Sequence, residues 1–201
     1  MTDRTAAHPT SATAAHTALA EAAALFGALS HGGLDTEIAL AAGAMTSALR
    51  HGGTIYWCGN GGSASDAEHL AAELVGRFHL ERAPLRSHAL TVNSSLTTAL
   101  LNDYGADAVF ERPVRAFVRE HDVLVAISTS GNSPNVLRAV DAARAQGAWT
   151  LALTGEGGGA LAERAHLAIQ VPSSNVPRIQ EAHILIGHTL CELIERAMAA
   201  P

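Results

Sequence analysis

The sequence predicts an α/β protein with a doubly wound parallel sheet whose strands alternate with helices that cover both faces. Two observations support this prediction. Five short runs rich in aliphatic and β-branched residues alternate with alanine- and leucine-rich stretches of helical length. One of these runs, residues 122–127, is almost continuously apolar, which is typical of a central parallel strand buried on both faces.

Length, charge and cysteine content limit the possible functions. The chain has 201 residues, enough for one domain with its own core. A formal net charge of −6 and an aromatic content of 4% argue against a nucleic-acid surface. The two cysteines imply no disulfide framework and fit a reducing cytoplasm. We expect neither a membrane span nor a signal peptide.

The chain is expected to begin with a flexible tail over residues 1–12, and a single domain is expected over residues 13–201. Two helices are predicted first, over about residues 14–29 and 35–50, with glycine pairs after each. Because they precede any strand, they form an N-terminal helical extension. They could pack on the core of the same chain or against a second chain.

The first strand, residues 54–58, leads into the glycine loop Gly59-Asn60-Gly61-Gly62-Ser63. We expect Ser63 or Ser65 to cap the helix that follows. Such a turn presents unpaired N–H groups and the positive end of the helix dipole, which favours an anion. The loop lacks the G-x-G-x-x-G spacing of dinucleotide sites, and no Walker lysine follows it. By itself it is equally well interpreted as a packing turn.

A short strand over residues 87–92 and a short helix come next, followed by Asn102-Asp103-Tyr104-Gly105. Asn and Asp bond readily to their own backbone, so a turn is the simpler interpretation, although both side chains could hold sugar hydroxyls. We expect Asp107 to cap a helix to about residue 120. The remaining elements are a helix to about residue 146, strands over 149–153 and 166–171, and a closing helix over 178–198.

A serine-rich loop, Ser128-Thr129-Ser130-Gly131-Asn132-Ser133, follows the central strand. Capping the next helix needs only one hydroxyl, whereas this loop has four. Hydroxyls together with helix amides can hold a phosphate monoester without a lysine. Ligands of doubly wound sheets bind beyond the carboxyl ends of the strands, where this loop and the glycine loop both lie. We therefore interpret the serine loop as a phosphate site.

Two helices carry side chains suited to catalysis. His69 and Glu73 stand at i and i+4 after the glycine loop, and alone they are best interpreted as a surface pair. Gln180 and His188 share a stripe of the closing helix, while His183 lies on another side. Two imidazoles, a carboxylate and an amide oxygen could bind a divalent metal such as zinc, or could act as base and acid. Spacing alone leaves both possibilities open.

Three segments, residues 58–77, 127–133 and 178–188, resemble the sugar isomerase (SIS) domain and, within it, the phosphoheptose isomerases. The resemblance spans about residues 18–198. It implies a five-stranded, flavodoxin-like αβα sandwich and a cytoplasmic homotetramer with active sites at subunit interfaces. It also implies interconversion of D-sedoheptulose 7-phosphate and a D-glycero-D-heptose 7-phosphate in activated-heptose biosynthesis. The chain departs from the family at Pro177, where an acidic residue is common.

The resemblance further implies roles for individual residues. Glu73 would move the proton between C1 and C2, and His188 would act as the acid at the carbonyl. One zinc ion per subunit would be held by His69, Glu73, Gln180 and His188. The substrate contacts would be Asn60, Gly61, Gly62, Ser63, Glu73, Asn102, Asp103, Ser128, Thr129, Ser130, Ser133 and Gln180.

The same resemblance offers a non-catalytic alternative. A replication-initiation factor uses this fold as a tetrameric adaptor for an initiator protein. It resembles this chain around Glu81-Arg82 and around Arg178-Ile179-Gln180. It lacks the residues that match Glu73 and His188, so their presence here favours an isomerase.

Overall fold

The structure is a computed structural model that describes residues 9–199. Five parallel strands form one sheet in the order β2-β1-β3-β4-β5. This is the flavodoxin-like order, with its switch point between β1 and β3. The predicted five-stranded doubly wound sheet is confirmed. The strands are β1 (Ile55–Gly59), β2 (Ser87–Ala89), β3 (Val123–Ser128), β4 (Trp149–Thr154) and β5 (Leu167–Gln170).

Helices connect and cover the strands throughout the described range. A single 3₁₀ turn, Ala106–Ala108, separates α4 from α5. The α-helices are α1 (Pro9–His31), α2 (Leu34–Arg50), α3 (Gly62–Val75), α4 (Ser94–Tyr104), α5 (Glu111–Phe117), α6 (Pro134–Ala145), α7 (Gly159–Arg164) and α8 (Val176–Ala199).

Each face of the sheet has its own hydrophobic core. On one face Trp57 and Val125 pack with buried residues of α2, α3 and α8. On the other, Leu124 and Ala126 pack with buried residues of α5 and α6. Because successive side chains of a strand point to opposite faces, β3 needs apolar residues at consecutive positions. All six of its residues are buried, which explains its continuous apolar run.

The carboxyl ends of β1 and β3 lie side by side, since Gly59 pairs with Ile127 in a parallel register. The loops after these two strands therefore open at the same edge of the sheet. Helices α3 and α6 both begin there, so the positive ends of two helix dipoles face this edge.

Several predicted boundaries differ from the structure. Helix α1 begins at Pro9, so residues 9–12 of the predicted tail are helical, and residues 1–8 lie outside the described part. Asn102 and Asp103 lie in the last turn of α4, because the helix continues to Tyr104. Gly105 is its C-cap, and the φ of 80° at this position favours glycine. Asp107 lies within the 3₁₀ turn and caps no helix, so that prediction is wrong.

Helix α1 is exposed over most of its length, and the side chain of Leu19 is 72% exposed. Arg178 donates a hydrogen bond to the Ala18 carbonyl, and Asn175 donates to Glu21 at 3.2 Å. By length and mean hydropathy, 1.2, its segment Ser11–His31 passes the test for a membrane span, contrary to our expectation. A single alanine-rich helix of this kind is weak evidence for a membrane.

Candidate active site at the carboxyl edge of the sheet

The glycine loop is tighter than predicted, with only Asn60 and Gly61 between β1 and α3. Gly61, with φ of 57°, is the N-cap of α3, and no side chain caps this helix. The prediction that Ser63 or Ser65 caps it is therefore wrong. Ser63 is buried under the loop, where its Cβ would lie 2.7 Å from a β-carbon at position 59. A glycine cap leaves the first amides of α3 free of side-chain partners.

Asn60 is held by a residue that the sequence did not identify, Asn135. Each Nδ2 donates to the other Oδ1 at 2.9 Å, which joins the glycine loop to the first turn of α6. The signal for Asn135 was its position, directly after Ser133-Pro134 at a predicted helix start.

A cleft of about 380 Å³, the edge cleft, opens beside this amide pair. Thr91 Oγ1 is buried on its wall and has no hydrogen-bond partner among the described residues. An unsatisfied buried hydroxyl costs about 1–3 kcal/mol, which a polar ligand or water would recover. The cleft is thus suited to a small polar ligand. Its other lining residues are Gly59, Gly61, Ala64, Glu68, Thr97, Leu101, Ala106, Val109 and Phe110.

The serine loop lies at the same edge, and none of its hydroxyls caps helix α6. Ser133 is the N-cap of α6, but its side chain makes no capping bond. Its Oγ instead lies 3.1 Å from Oγ of Ser128. The Gly131 amide donates to the Ser128 carbonyl at 3.0 Å, and Asn132 Oδ1 accepts from Ala160 at 3.0 Å. The loop is therefore fixed by its backbone, by Asn132 and by Ser130, whose Oγ accepts from the Asn132 amide at 3.2 Å. Each serine hydroxyl still has hydrogen-bonding capacity for a ligand.

His69, Glu73 and His188 come together where α3 contacts α8. Nε2 of His69 lies 2.9 Å from Nε2 of His188 and 3.4 Å from Oε1 of Glu73. Gly187 permits this approach, because a β-carbon there would lie 2.4 Å from Cδ1 of Leu70. We call these three residues the His-Glu-His cluster. The structure thus shows the helix contact that sequence spacing could not establish.

Burial lowers the pKa of His188 below its ordinary value of 6.5, and the nearby His69 lowers it further, while Glu73 opposes the shift. The ring of Phe78 stacks on His188 with centroids 5.5 Å apart. A neutral imidazole is therefore favoured at pH 7. In this form it can donate one N–H and accept or bind a metal through the other nitrogen.

The His-Glu-His cluster fits a divalent metal. Ligand atoms of its three residues lie within 4.8 Å of one another. Tetrahedral zinc with Zn–N bonds of 2.0–2.1 Å would hold neighbouring ligand atoms about 3.4 Å apart. The observed separations, 2.9 and 3.4 Å, require only small movements. Two imidazoles and one carboxylate are also a ligand set found in catalytic zinc sites.

Gln180 lies apart from the other predicted metal ligands within one chain. Its amide contacts Gly62, where an added β-carbon would lie 2.3 Å from Nε2. Gln180 precedes His188 by eight residues, which is about 12 Å along the axis of α8. The structure therefore puts Gln180 beside the glycine loop rather than in the His-Glu-His cluster.

Other predicted site residues do not line the edge cleft. Asn102 and Asp103 are exposed, and Asn102 Nδ2 donates to Asp103 Oδ1 at 2.7 Å.

His183 is buried and bonds to the Thr154 carbonyl at 3.1 Å, which agrees with a structural role. Both cysteines are also fully buried, as expected for small core residues.

Comparison with known proteins gives consistent matches. The model of the SIS domain family matches residues 18–155. The phosphoheptose isomerase of Rhodospirillum rubrum is 57% identical over 163 residues, covering 81% of this chain and 87% of the relative. The solved phosphoheptose isomerase of Francisella tularensis has a TM-score of 0.88 at 38% identity, covering 92% and 98% of the two chains. That of Neisseria gonorrhoeae has a TM-score of 0.86 at 42% identity, covering 94% and 100%.

Proposed function

The chain belongs to the phosphoheptose isomerases of the SIS domain family and is therefore an isomerase. We propose a mechanism by which its residues interconvert D-sedoheptulose 7-phosphate and D-glycero-D-heptose 7-phosphate. The observation that supports the proposal most strongly is the His-Glu-His cluster, because it gathers a carboxylate and two imidazoles from separate helices. An adaptor would not need these residues in contact.

Glu73 and His188 carry the proton transfers in this proposal. Glu73 takes a proton from C1 of the ketose, and the C2 carbonyl oxygen takes a proton from the N–H of His188 as the enediol forms. The N–H of His188 donates to that oxygen and stabilises its developing negative charge. Glu73 then returns its proton to C2, while the C1 hydroxyl gives its proton to His188 and becomes the aldehyde, which restores both residues. No atom is gained or lost overall.

We assign the phosphate to the serine loop, through the hydroxyls of Ser128, Thr129, Ser130 and Ser133 and the amides at the start of α6. The glycine loop, with Asn60, Gly61 and Gly62, and the amide of Gln180 would hold the sugar beside it. Asn102 and Asp103 are exposed and do not line the edge cleft within one chain, so we propose that a second copy brings them to the substrate. Ser63, being buried, would act by supporting the loop.

We propose one zinc ion per chain, held by His69, Glu73 and His188. Glu73 alternates between metal ligation and proton transfer, because a carboxylate next to a cation is a weaker base. When bound there, zinc supplies a Lewis acid that polarises the carbonyl. Elemental analysis of the purified protein should show the metal, and His69→Ala should remove it. The exposed His88→Gln is the matched control and should retain it. A metal-free wild-type protein with full activity would contradict this assignment.

We propose a cytoplasmic homotetramer with its active sites at subunit interfaces and with no nucleic-acid or membrane partner. The side chain of His69 is 50% exposed in one chain, so a neighbouring subunit could complete the site. Large apolar side chains are exposed on the same helices and in the loop after α3, namely Val75, Leu80, Leu185 and Leu193. Exposed apolar patches of this kind mark interaction surfaces.

The proposal is tested by assaying the purified chain with D-sedoheptulose 7-phosphate and measuring the aldose formed. Glu73→Gln should abolish turnover, because the amide cannot accept the proton, while the variant should remain folded. Glu192→Gln removes a partly exposed carboxylate of α8 and should retain full activity. Full activity of Glu73→Gln would exclude the proposed base. Absence of turnover by the metal-loaded wild-type protein would revive the adaptor alternative.

A further inference from the structure

Glu195 is a buried carboxylate that the proposed reaction does not use. Its side chain is 1% exposed and lies on α8, seven residues after His188. It accepts backbone hydrogen bonds from Phe78 at 2.9 Å, His79 at 2.7 Å and Leu80 at 2.8 Å. The carboxylate therefore fixes the loop that follows α3 directly onto α8.

Arg82 is the buried cation that faces Glu195. Its Nε lies 3.1 Å from Glu195 Oε1, an ion pair without hydrogen-bond alignment. Its guanidinium also donates to the carbonyl of Glu73 at 2.9 Å and to that of Leu74 at 2.9 Å. These are last-turn carbonyls of α3, which have no partner inside the helix. Arg82 thus holds the backbone of Glu73 itself.

The ion pair of Arg82 and Glu195 is connected to both proposed proton-transfer residues, Glu73 and His188. On one side, Arg82 fixes the carbonyl of Glu73, whose carboxylate lies 3.4 Å from His69. On the other, Glu195 fixes the backbone of Phe78, whose ring stacks on His188. Both connections are short and partly buried, so a shift of the pair would displace the carboxylate and the imidazole relative to each other.

The charge state of the pair agrees with this arrangement. Burial raises the pKa of Glu195, but the three N–H donors and Arg82 outweigh it, so its pKa lies below the ordinary value. The carboxylate is therefore ionised at neutral pH. A buried charge pair gives little net stability relative to apolar residues, whereas removing one partner leaves an uncompensated charge. The pair is therefore better explained by the geometry that it imposes on the loop and on α3 than by net stability.

We propose that Arg82 and Glu195 are positioning residues that hold Glu73 and His188 in the geometry needed for proton transfer. This inference rests on the proposed function, in which those two residues act on the sugar. Arg82 and Glu195 are buried and line neither the edge cleft nor the serine loop. Loosening them should therefore slow the chemical step and leave substrate binding by the serine loop unchanged.

The test compares Glu195→Gln and Arg82→Lys with the wild type in the full-length protein. Glu192→Gln is the matched control, because it removes a partly exposed α8 carboxylate that pairs with Arg196 at 2.5 Å. Each variant is assayed at a temperature where circular dichroism shows it fully folded. We expect kcat to fall about ten- to a hundredfold in the first two variants with KM little changed. The control should match the wild type.

Phe78→Leu covers the case in which the buried-charge variants do not fold. It removes the ring over His188 but keeps the backbone N–H that donates to Glu195, so it should fold and lose kcat selectively. Unchanged kcat in the folded variants, or equal losses in kcat and in affinity for inorganic phosphate, would overturn the positioning role. Retained activity in Glu73→Gln would instead reject the proposed function, so the two failures are distinguishable.

Discussion

At the scale of single residues, the distance between His69 and His188 restricts their protonation. Two imidazole nitrogens 2.9 Å apart can form one hydrogen bond only if one donates and the other accepts. Two imidazolium rings would both present protons at this contact. Burial and the neighbouring His69 lower the pKa of His188 and so favour a neutral His188 ring, although the carboxylate of Glu73 opposes this shift. A divalent cation would satisfy the same nitrogens without either proton.

His183 should make the stability of the protein depend on pH. Burial lowers its pKa from 6.5 to about 4, so between these values the unfolded chain binds more protons than the folded one. Its contribution to stability is thus intact above about pH 6.5 and is lost progressively as the pH falls towards 4. We expect urea unfolding at fixed protein concentration to show a loss of about 2 kcal/mol from this group between pH 8 and pH 5.

His183→Gln provides the control for this expectation. Glutamine does not titrate in this range, so the variant should show a smaller loss of stability between the two pH values, whatever its stability at pH 8. If the two proteins lose the same free energy of unfolding, His183 is not the group responsible.

At the scale of elements, function depends on the contact between α3 and α8. Neither helix holds the His-Glu-His cluster alone, since His69 and Glu73 come from α3 and His188 from α8. The close approach at Gly187 and Leu70 sets the distance between them. The buried pair of Arg82 and Glu195 fixes the same two helices one to two turns further along. The site is thus a property of how two helices pack.

Gly187→Ala should push these two helices apart. The new β-carbon would lie 2.4 Å from Leu70 Cδ1, so Leu70 or the helices must move, and overpacking of this kind costs about 1–3 kcal/mol. We expect a lower melting temperature and a larger fall in kcat than in phosphate affinity. Gly43→Ala, on α2, meets nothing within 4 Å and should not lower kcat. Equal behaviour of the two variants would contradict the role given to Gly187.

At the scale of the whole molecule, a single chain exposes large apolar side chains to solvent. Helix α1 packs only partly on α8, and large side chains such as Leu19, Leu40 and Leu185 are exposed. The His-Glu-His cluster is not enclosed by its own chain, since the side chains of His69 and Glu73 are 50% and 24% exposed. A homotetramer would cover such surfaces, and the hydropathy of α1 would then reflect contact between subunits.

Light scattering after size exclusion should therefore give a mass close to four times the chain mass of 20.7 kDa. Leu19→Asp places a charge on the exposed face of α1 and should lower that mass, since a buried unpaired carboxylate opposes association. Glu192→Gln is the surface control. A monomeric wild type would contradict the proposed assembly, and an unchanged mass for Leu19→Asp would remove α1 from the interface.

Much of the site was predictable because its signals are local. The glycine loop and the serine loop follow short apolar runs that are typical of buried strands, and parallel strands put both loops at one edge. The caps were less predictable: Gly61 rather than a serine caps α3, and Ser133 uses its hydroxyl on Ser128. Capping signals depend on short hydrogen bonds that several neighbouring hydroxyls can make equally well.

The sequence by itself determined the order of strands and helices, the two loops at the sheet edge, and the resemblance that identified the family. These follow from residue type and spacing along the chain, which operate over a few positions. Only the tertiary structure decided that His69 meets His188, that Gln180 lies beside Gly62, and that Arg82 pairs with Glu195. The reason is physical. Contacts between residues over a hundred positions apart depend on which helices pack against each other, and the spacing of residues along one helix does not identify its partner.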